Sequence, residues 1–397
     1  MTVLVSALGY FIDIFDLTLF AIVRIPSLEA MGVPPEGMLA AGAHILNCQQ
    51  AGLLLGGLLW GMWGDRAGRV RVLFGSIFLY SAATLGSAFA SSVPAYGALR
   101  FLAGLGLAAE LGAAVTLVAE SMPRRSRGWG TALVASIGLT GAAAAALTAA
   151  RLEWRSAYIA GGILGFLLLL GRLAVRESSL FRTLASRAGV RKGDLLLLLS
   201  SPPRALRYAL CVAAGLPISS SIGVLVYFSP ELARAAGATG PVSAGTAVMA
   251  AYLGMSAGDL ACGALSQALR RRRSALASFT LALAALSAAF TLVGGLSPGA
   301  IYLLCGALGF ASGYWVVLVT SSAEQFGTNL RATVATSVPN IVRGLNGPLA
   351  LAFGALAAPL GAARAALLIA LACSIAGIAA LAGFKETFGK DLRFIEK

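Results

Sequence analysis

Residues 61–71 read Gly61-Met-Trp63-Gly64-Asp65-Arg66-Ala-Gly68-Arg69-Val-Arg71. This is a short basic turn between two apolar stretches, 43–63 and 70–91. Each stretch has about the ~20 residues needed to cross a bilayer. Asp65 falls at a helix end beside arginines, where a carboxylate pairs with a facing helix or caps its N-terminus. Working outward, the same kind of apolar stretch recurs at 3–24, 94–119, 129–150, 156–175, 208–229, 242–267, 275–295, 298–322, 332–357 and 362–384. The runs are continuous, unlike the ~10-residue alternating segments of a membrane β-barrel. The pattern predicts an all-α membrane protein with twelve transmembrane helices. The first stretch lacks a basic leader and carries acids, so it reads as a retained helix and not as a cleaved signal peptide.

Composition agrees. Of 397 residues, 58% are hydrophobic and 12% charged, half the ~25% charge of an average soluble protein. A soluble fold of this size could not hide so much apolar surface, and a disordered chain would be polar. The 48 glycines suit helices packed closely through small residues, as do the small-residue faces Gly52/Gly56, Gly57/Gly61 and Gly254/Gly258. The net charge of +14 is read as topology and not as nucleic-acid binding. With an inner N-terminus, the inner loops collect Arg66, Arg69, Arg71, Arg124, Arg125, Arg127, the basic residues from Arg172 to Arg207, Arg270–Arg273 and Arg331. The tail adds Lys385, Lys390, Arg393 and Lys397. Both termini are therefore expected in the cytoplasm, and the architecture suits a bacterial inner membrane. The Arg270–Arg273 run reads as a topology anchor, with anionic lipid as the alternative partner. Five cysteines lie far apart in apolar segments, without metal-ligand spacing. His44 is the lone histidine. No metal and no cofactor are expected.

The polar stretch 176–207 divides the chain into an N-terminal six-helix half (1–175) and a C-terminal half with a short tail (208–397). The halves repeat weakly. Glu120 precedes Arg127 by seven residues, and Glu324 precedes Arg331 by seven, 204 residues later. Each pair is expected to close the cytoplasmic end of its half's fourth span. Parallel six-helix halves around a midplane cavity are an alternating-access architecture.

The 61–71 stretch resembles the loop 2–3 signature of the major facilitator superfamily, with Trp63 in place of the usual leucine. The resemblance implies a conformational gate built from Gly61, Asp65, Arg66, Gly68 and Arg69, together with Glu120, Arg127, Glu324 and Arg331. The second-half counterpart, Gly263 to Arg270, is degenerate: Gln267 replaces the acid, so a lock there is expected to be weaker or different. Arg100-Phe-Leu-Ala-Gly104-Leu-Gly106 through Glu110, Glu120-Ser-Met-Pro123, and Tyr227-Phe228-Ser-Pro230 resemble metabolite:proton symporters and sugar porters. Ala108 and Ala109 stand where that branch has two glycines.

Ionisable residues at membrane depth cost ~2.5–3.5 kcal/mol on insertion scales and are functional candidates by default. Asp13 and Asp16 lie one turn apart, expected to face one cavity. Burial and like charge both disfavour their ionised forms, which makes them proton-coupling candidates; a structural ion pair is the alternative. Arg100 and Glu110 sit ten residues apart in the fourth span, too far for one local pair. Through the family resemblance Arg100 becomes a partner for a first-span aspartate, and Glu110 is a second proton site. Asn340, Arg343 and Asn346 run along one face of the eleventh span. A guanidinium near mid-membrane suits a substrate carboxylate or phosphate, with pairing to Asp259 as the alternative. Asn47, Gln49, Gln50, Tyr227, Tyr314 and Trp315 are further lining candidates.

These readings lead to a secondary transporter, not an enzyme. It would import a small polar metabolite, an organic anion, by proton symport through alternating access. The alternatives are a proton-coupled antiporter exporting drugs or metabolites, and a sugar:proton symporter. The expected partners are the substrate, protons and the lipid bilayer, with no nucleic acid, for a monomer.

Overall fold

The computed structural model describes residues 2–123, 126–172 and 192–396, apart from the side chains of Glu36, Leu39, Ala40, Ala43 and Leu195. Within these residues the chain forms twelve long helices. The first half contains α1 (Thr2–Ala30), α2 (Met38–Ala67), α3 (Arg69–Ser87), α4 (Val93–Ser121), α5 (Arg127–Arg151) and α6 (Trp154–Gly171). The second contains α7 (Pro202–Val226), α8 (Ala244–Leu269), α9 (Arg272–Leu292), α10 (Pro298–Gln325), α11 (Arg331–Leu360) and α12 (Ala362–Ala382). Eleven of them are long and apolar enough to cross a membrane on hydropathy alone. The exception, α2, is diluted by His44, Asn47, Gln49 and Gln50. Residues 176–191 of the expected central loop lie outside the described residues; its remainder includes a short helix, Leu195–Leu199.

The helix ends follow local chemistry. Ser92, Ser243 and Ser297 accept hydrogen bonds from the backbone of Ala95, Thr246 and Ala300, capping α4, α8 and α10. A cap of this kind satisfies a donor the first turn would otherwise orphan. Proline in the first turn of α4 and α10 costs no hydrogen bond there. The turn from α2 into α3 passes through Gly68 at φ 107°. That left-handed-side backbone accepts only glycine without strain, which accounts for one glycine of the 61–71 stretch.

Close packing repeats between the halves. A Cβ on Gly52 would fall on the Phe101 carbonyl of α4, and a Cβ on Gly254 would fall on the Gly306 carbonyl of α10. Gly56 and Gly258 make the same approach one turn further on. In both halves glycine therefore lets the second helix lie directly on the fourth. The two fourth helices also break at matching points. α4 is interrupted at Ala108–Ala109 and α10 at Gly313–Tyr314, again about 204 residues apart.

The described residues of the two halves meet mainly toward one end. Among the described residues, the hydrogen bonds and ion pairs between them run from the end bearing the α2–α3 turn up to the level of Arg343. Beyond that level α11 is exposed, with Leu351 at 77%. The molecule is thus closed at the end that carries the tail and open at the other.

Substituting leucine at Gly52 or Gly254 should destabilise the protein by ~1–3 kcal/mol through overpacking. Leucine at Gly354, which has open space around its Cα, should be neutral. Thermal unfolding in detergent distinguishes the two groups; equal effects would show that the seams are not tightly packed.

Candidate functional site: a charge knot and a cavity with one arginine

At the closed end α2 stops against α11. Asp65 accepts hydrogen bonds from the backbone of Ala332 (3.0 Å) and Thr333 (2.8 Å), and from the Thr333 hydroxyl (2.8 Å). It therefore caps the facing helix, where the helix dipole favours an anion. Arg69 lies 3.3 Å from the same carboxylate. Gly61 permits the approach, since a Cβ there would meet the Thr333 Cα at 2.8 Å. Arg66 donates to the Lys192 carbonyl.

Two buried glutamates complete the seal. Glu120 takes Arg69 at 3.0 Å and Arg331 at 2.9 Å. Glu324 takes Arg272 at 2.7 Å and Arg127 at 2.8 Å. Each glutamate binds one arginine of its own half and one of the other. The sequence grouped Glu120 with Arg127 and Glu324 with Arg331; the structure crosses them. The degenerate second motif keeps its place: a Cβ on Gly128, at the start of α5, would fall on the Gln267 amide. Gln267 thus lies against the start of α5, as Asp65 lies against the start of α11.

The C-terminal tail lies across this knot. Arg331 donates to the Leu392 carbonyl and Arg127 to the Lys390 carbonyl. Thr328 and Asn329 pair with Phe394 and Glu396, and Glu396 pairs with Arg207 at 2.8 Å. Burial, and then the neighbouring Arg207, lower the Lys390 ammonium below its ordinary pKa.

The first-half acids separate. Asp16 pairs with Arg100 at 3.2 Å and accepts from Thr84 at 2.8 Å. Ser87 accepts from Arg100 in turn, and Tyr158 stacks beneath its guanidinium. Asp13 is equally buried, yet no donor among the described residues reaches either oxygen. The two aspartates do not share a cavity: successive turns of α1 aim one into the first half and the other toward the interface. Glu110 pairs with Arg172, which the sequence reading had counted with the loop. Both sit where Gly9 leaves room for them.

At mid-depth lies a cavity of about 50 Å³, room for a few waters. Its walls include Tyr10 and Ile14 of α1, Leu139 of α5, Tyr252 of α8, Trp315 of α10, and Arg343 and Asn346 of α11. Arg343 donates to the Tyr10 hydroxyl at 3.0 Å and lies over the Trp315 ring at 5.4 Å. Among the described residues no carboxylate forms an ion pair with it. Asp259, the alternative partner, instead accepts from the Val316 backbone at 3.1 Å and caps the second segment of α10.

Of the other lining candidates, Asn346 faces the cavity with its Oδ1 unpartnered. Asn340 does not line it; it donates to the Ala108 carbonyl at 2.8 Å and to Thr336 at 2.7 Å, joining α11 to the break in α4. Tyr314 is buried in the second half and donates to the Ala214 carbonyl. Asn47 is exposed, and Gln50 is half-buried; neither lines the cavity. Tyr227 reaches Tyr252 from outside the lining. Trp315, a lining candidate from the sequence, does line the cavity; sequence reasoning missed Tyr10 and its meeting with Trp315 at Arg343. The signal was present for Tyr10, three residues before Asp13 on the same face.

Comparison with known proteins agrees with this architecture. The family model for the Major Facilitator Superfamily matches residues 6–351, and the chain belongs to that superfamily. It is a membrane-spanning transporter and not an enzyme. It is 30% identical over 350 residues to the 3-(3-hydroxy-phenyl)propionate transporter of Escherichia coli, covering 81% of each chain. It is 33% identical over 160 residues to the 4-hydroxybenzoate transporter PcaK of Pseudomonas aeruginosa, 38% of this chain and 35% of that one. The crystal structure of the transporter FucP in the outward conformation superposes with a TM-score of 0.77 at 15% identity, covering 98% of this chain and 99% of that one.

Because Glu120 holds arginines from both halves, Glu120→Ala strips Arg331 of its ion-pair partner and leaves Arg69 with Asp65, a loss of ~3–5 kcal/mol for a buried pair. Separation of the halves is then favoured. A Cβ on Gly64 would stand 3.3 Å from the Ala332 Cβ, close to disulfide spacing. Cysteines at 64 and 332, in a background without native cysteines, should cross-link readily, and much less once Glu120→Ala is added. Unchanged cross-linking would remove Glu120 from the gate.

Proposed function

We propose that the protein imports an aromatic carboxylate by proton symport across a bacterial inner membrane, with the closed end cytoplasmic and the cavity open to the outside. The observation that carries this reading is Arg343: a cation near mid-membrane, on an aromatic wall, that donates to a neutral phenol and, among the described residues, pairs with no carboxylate. Arg343 lies twelve residues into α11, about 18 Å from the closed end at 1.5 Å per residue. A guanidinium so placed offers a bidentate seat to a carboxylate. Tyr10, Tyr252 and Trp315 offer faces to a ring, and the remaining walls are largely apolar. The relatives named for phenylpropionate and hydroxybenzoate carry the same chemistry, which supports the assignment. Nothing in the cavity resembles the dense set of polar side chains a neutral sugar would need.

The proton site we assign is Asp13. A buried ionised carboxylate without hydrogen bonds costs several kcal/mol, and no donor among the described residues reaches Asp13. Arg343 is the foremost charge acting on it, with Glu110 and Asp16 behind. An anion seated on Arg343 cancels a cation that would support ionised Asp13. Anion and proton then bind cooperatively, and linkage makes the effect reciprocal. That is the sign symport requires. Asp16, by contrast, is fully engaged by Arg100 and Thr84, and is assigned to bracing α1 against α3 and α4.

In proteoliposomes with an inward proton gradient, labelled 3-(3-hydroxyphenyl)propionate or 4-hydroxybenzoate should accumulate, and a protonophore should abolish accumulation. Arg343→Gln should weaken the carboxylate at least tenfold while sparing its neutral amide. Asp13→Asn should remove accumulation and its dependence on external acidity but leave exchange intact. Equal loss for acid and amide would reduce Arg343 to a structural role, and accumulation that survives Asp13→Asn would move the proton elsewhere.

A further inference from the structure

Tyr10 is used by neither the gate nor the proton site, yet it holds the position a substrate carboxylate would need. Its hydroxyl accepts from the Arg343 Nη2 at 3.0 Å across the interface between α1 and α11. Its ring is completely buried and seated on α5, where a Cβ on Gly138 would collide with it. The ring is therefore fixed by packing, and the hydroxyl is aimed by that fixture. Tyr10 also lines the cavity, so a solute that enters can reach the bond. The groups facing this bond are Asp13 on α1, Tyr252 on α8 and Trp315 on α10.

We infer that Tyr10 is a displaceable stand-in for the substrate: it occupies Arg343 in the empty carrier, yields it to an incoming carboxylate, and reclaims it on release. This rests on the reading of Arg343 as the anion seat. The exchange has a clear direction. A hydrogen bond from a guanidinium to an ionised carboxylate is about twice as strong as one to a neutral oxygen, so the anion wins Arg343. Without Tyr10 the empty carrier would hold an under-satisfied cation at mid-depth, which itself is costly. The phenol lowers the energy of the empty state, weakens net binding, and gives the departing anion a competitor. The same bond ties the two halves together at the cavity, so substrate binding removes one cross-link between α1 and α11 as the carrier prepares to change state.

The test is Tyr10→Phe, which keeps the ring and removes the hydroxyl. A direct substrate ligand would lose affinity when truncated. A displaceable one should do the opposite. Equilibrium binding of 4-hydroxybenzoate and 3-(3-hydroxyphenyl)propionate should tighten about three- to tenfold, the equivalent of one typical hydrogen bond. Maximal exchange rate should fall, because release becomes slower, and the preference for acid over amide should persist. Gly138→Ala, which pushes the ring off its seat, should shift affinity in the same direction. Weaker or unchanged binding in Tyr10→Phe, with wild-type binding intact, would overturn the stand-in role and leave Arg343 as the anion seat. Wild-type protein that binds neither acid would overturn both.

Discussion

A charge inside a bilayer-spanning bundle has to be matched by another charge or by aligned hydrogen bonds. The closed end is organised around that constraint. Two glutamates hold four arginines, and each glutamate reaches across to the other half. The arginines cannot leave one glutamate without exposing it as an unpaired buried charge. Separation of the halves must therefore break both crossed pairs and the Asp65 cap together, which makes the closure cooperative. The tail adds backbone acceptors to Arg127 and Arg331, the two arginines that cross. Such a closure is two-state by construction, as alternating access needs.

The repeat explains where chemistry can be placed. Residues 204 apart occupy equivalent places: Glu120 and Glu324, Arg127 and Arg331, the breaks in α4 and α10. Function lies where the equivalence fails. Arg343 corresponds to Leu139, and both line the same cavity; one half supplies a cation and the other an apolar wall. Glu110 corresponds to Tyr314, so the first half has an ionisable group at its broken helix and the second a phenol that donates to a carbonyl. On the proposed function, the symmetric parts move the halves, and the asymmetric parts give the cavity a substrate side and a proton side.

Much of this was legible in the sequence, for identifiable reasons. Apolar run length marks a membrane helix, so twelve spans could be placed, although the helices continue past the apolar runs; α1 extends to Ala30 and α2 begins at Met38. Asp65 could be read as a cap because a motif at a helix end permits few other roles. That Arg100 partners a first-span aspartate followed from the family resemblance; that the aspartate is Asp16 came only from the structure. Partner choice across the interface was not legible. Equal spacing of Glu120–Arg127 and Glu324–Arg331 is consistent with pairing within or between halves, and only the packing of α4 against α11 decides. Asn340 lies one turn before Arg343 on the face expected for α11, but it meets the α4 break and not the cavity that Arg343 and Asn346 line. Arg172 looked like a loop residue because its Cα lies at a helix end; its long side chain runs inward to Glu110.

The contrast between Asp13 and Asp16 shows how one turn of helix divides support from coupling. Both are buried to the same degree. Asp16 meets Arg100, Thr84 and, through Arg100, Ser87, a set that moves with it whenever the half moves as a rigid unit. All of those partners belong to the first half, so reorientation leaves them intact. Asp13 meets none, and the cation that dominates its surroundings belongs to the second half and to the cavity. Its electrostatic environment therefore changes both when the halves move and when an anion arrives. A group whose surroundings are constant cannot report on the cycle, however ionisable it is. A group whose countercharge is shared with the substrate can, and that is the physical distinction between a bracing aspartate and a coupling one.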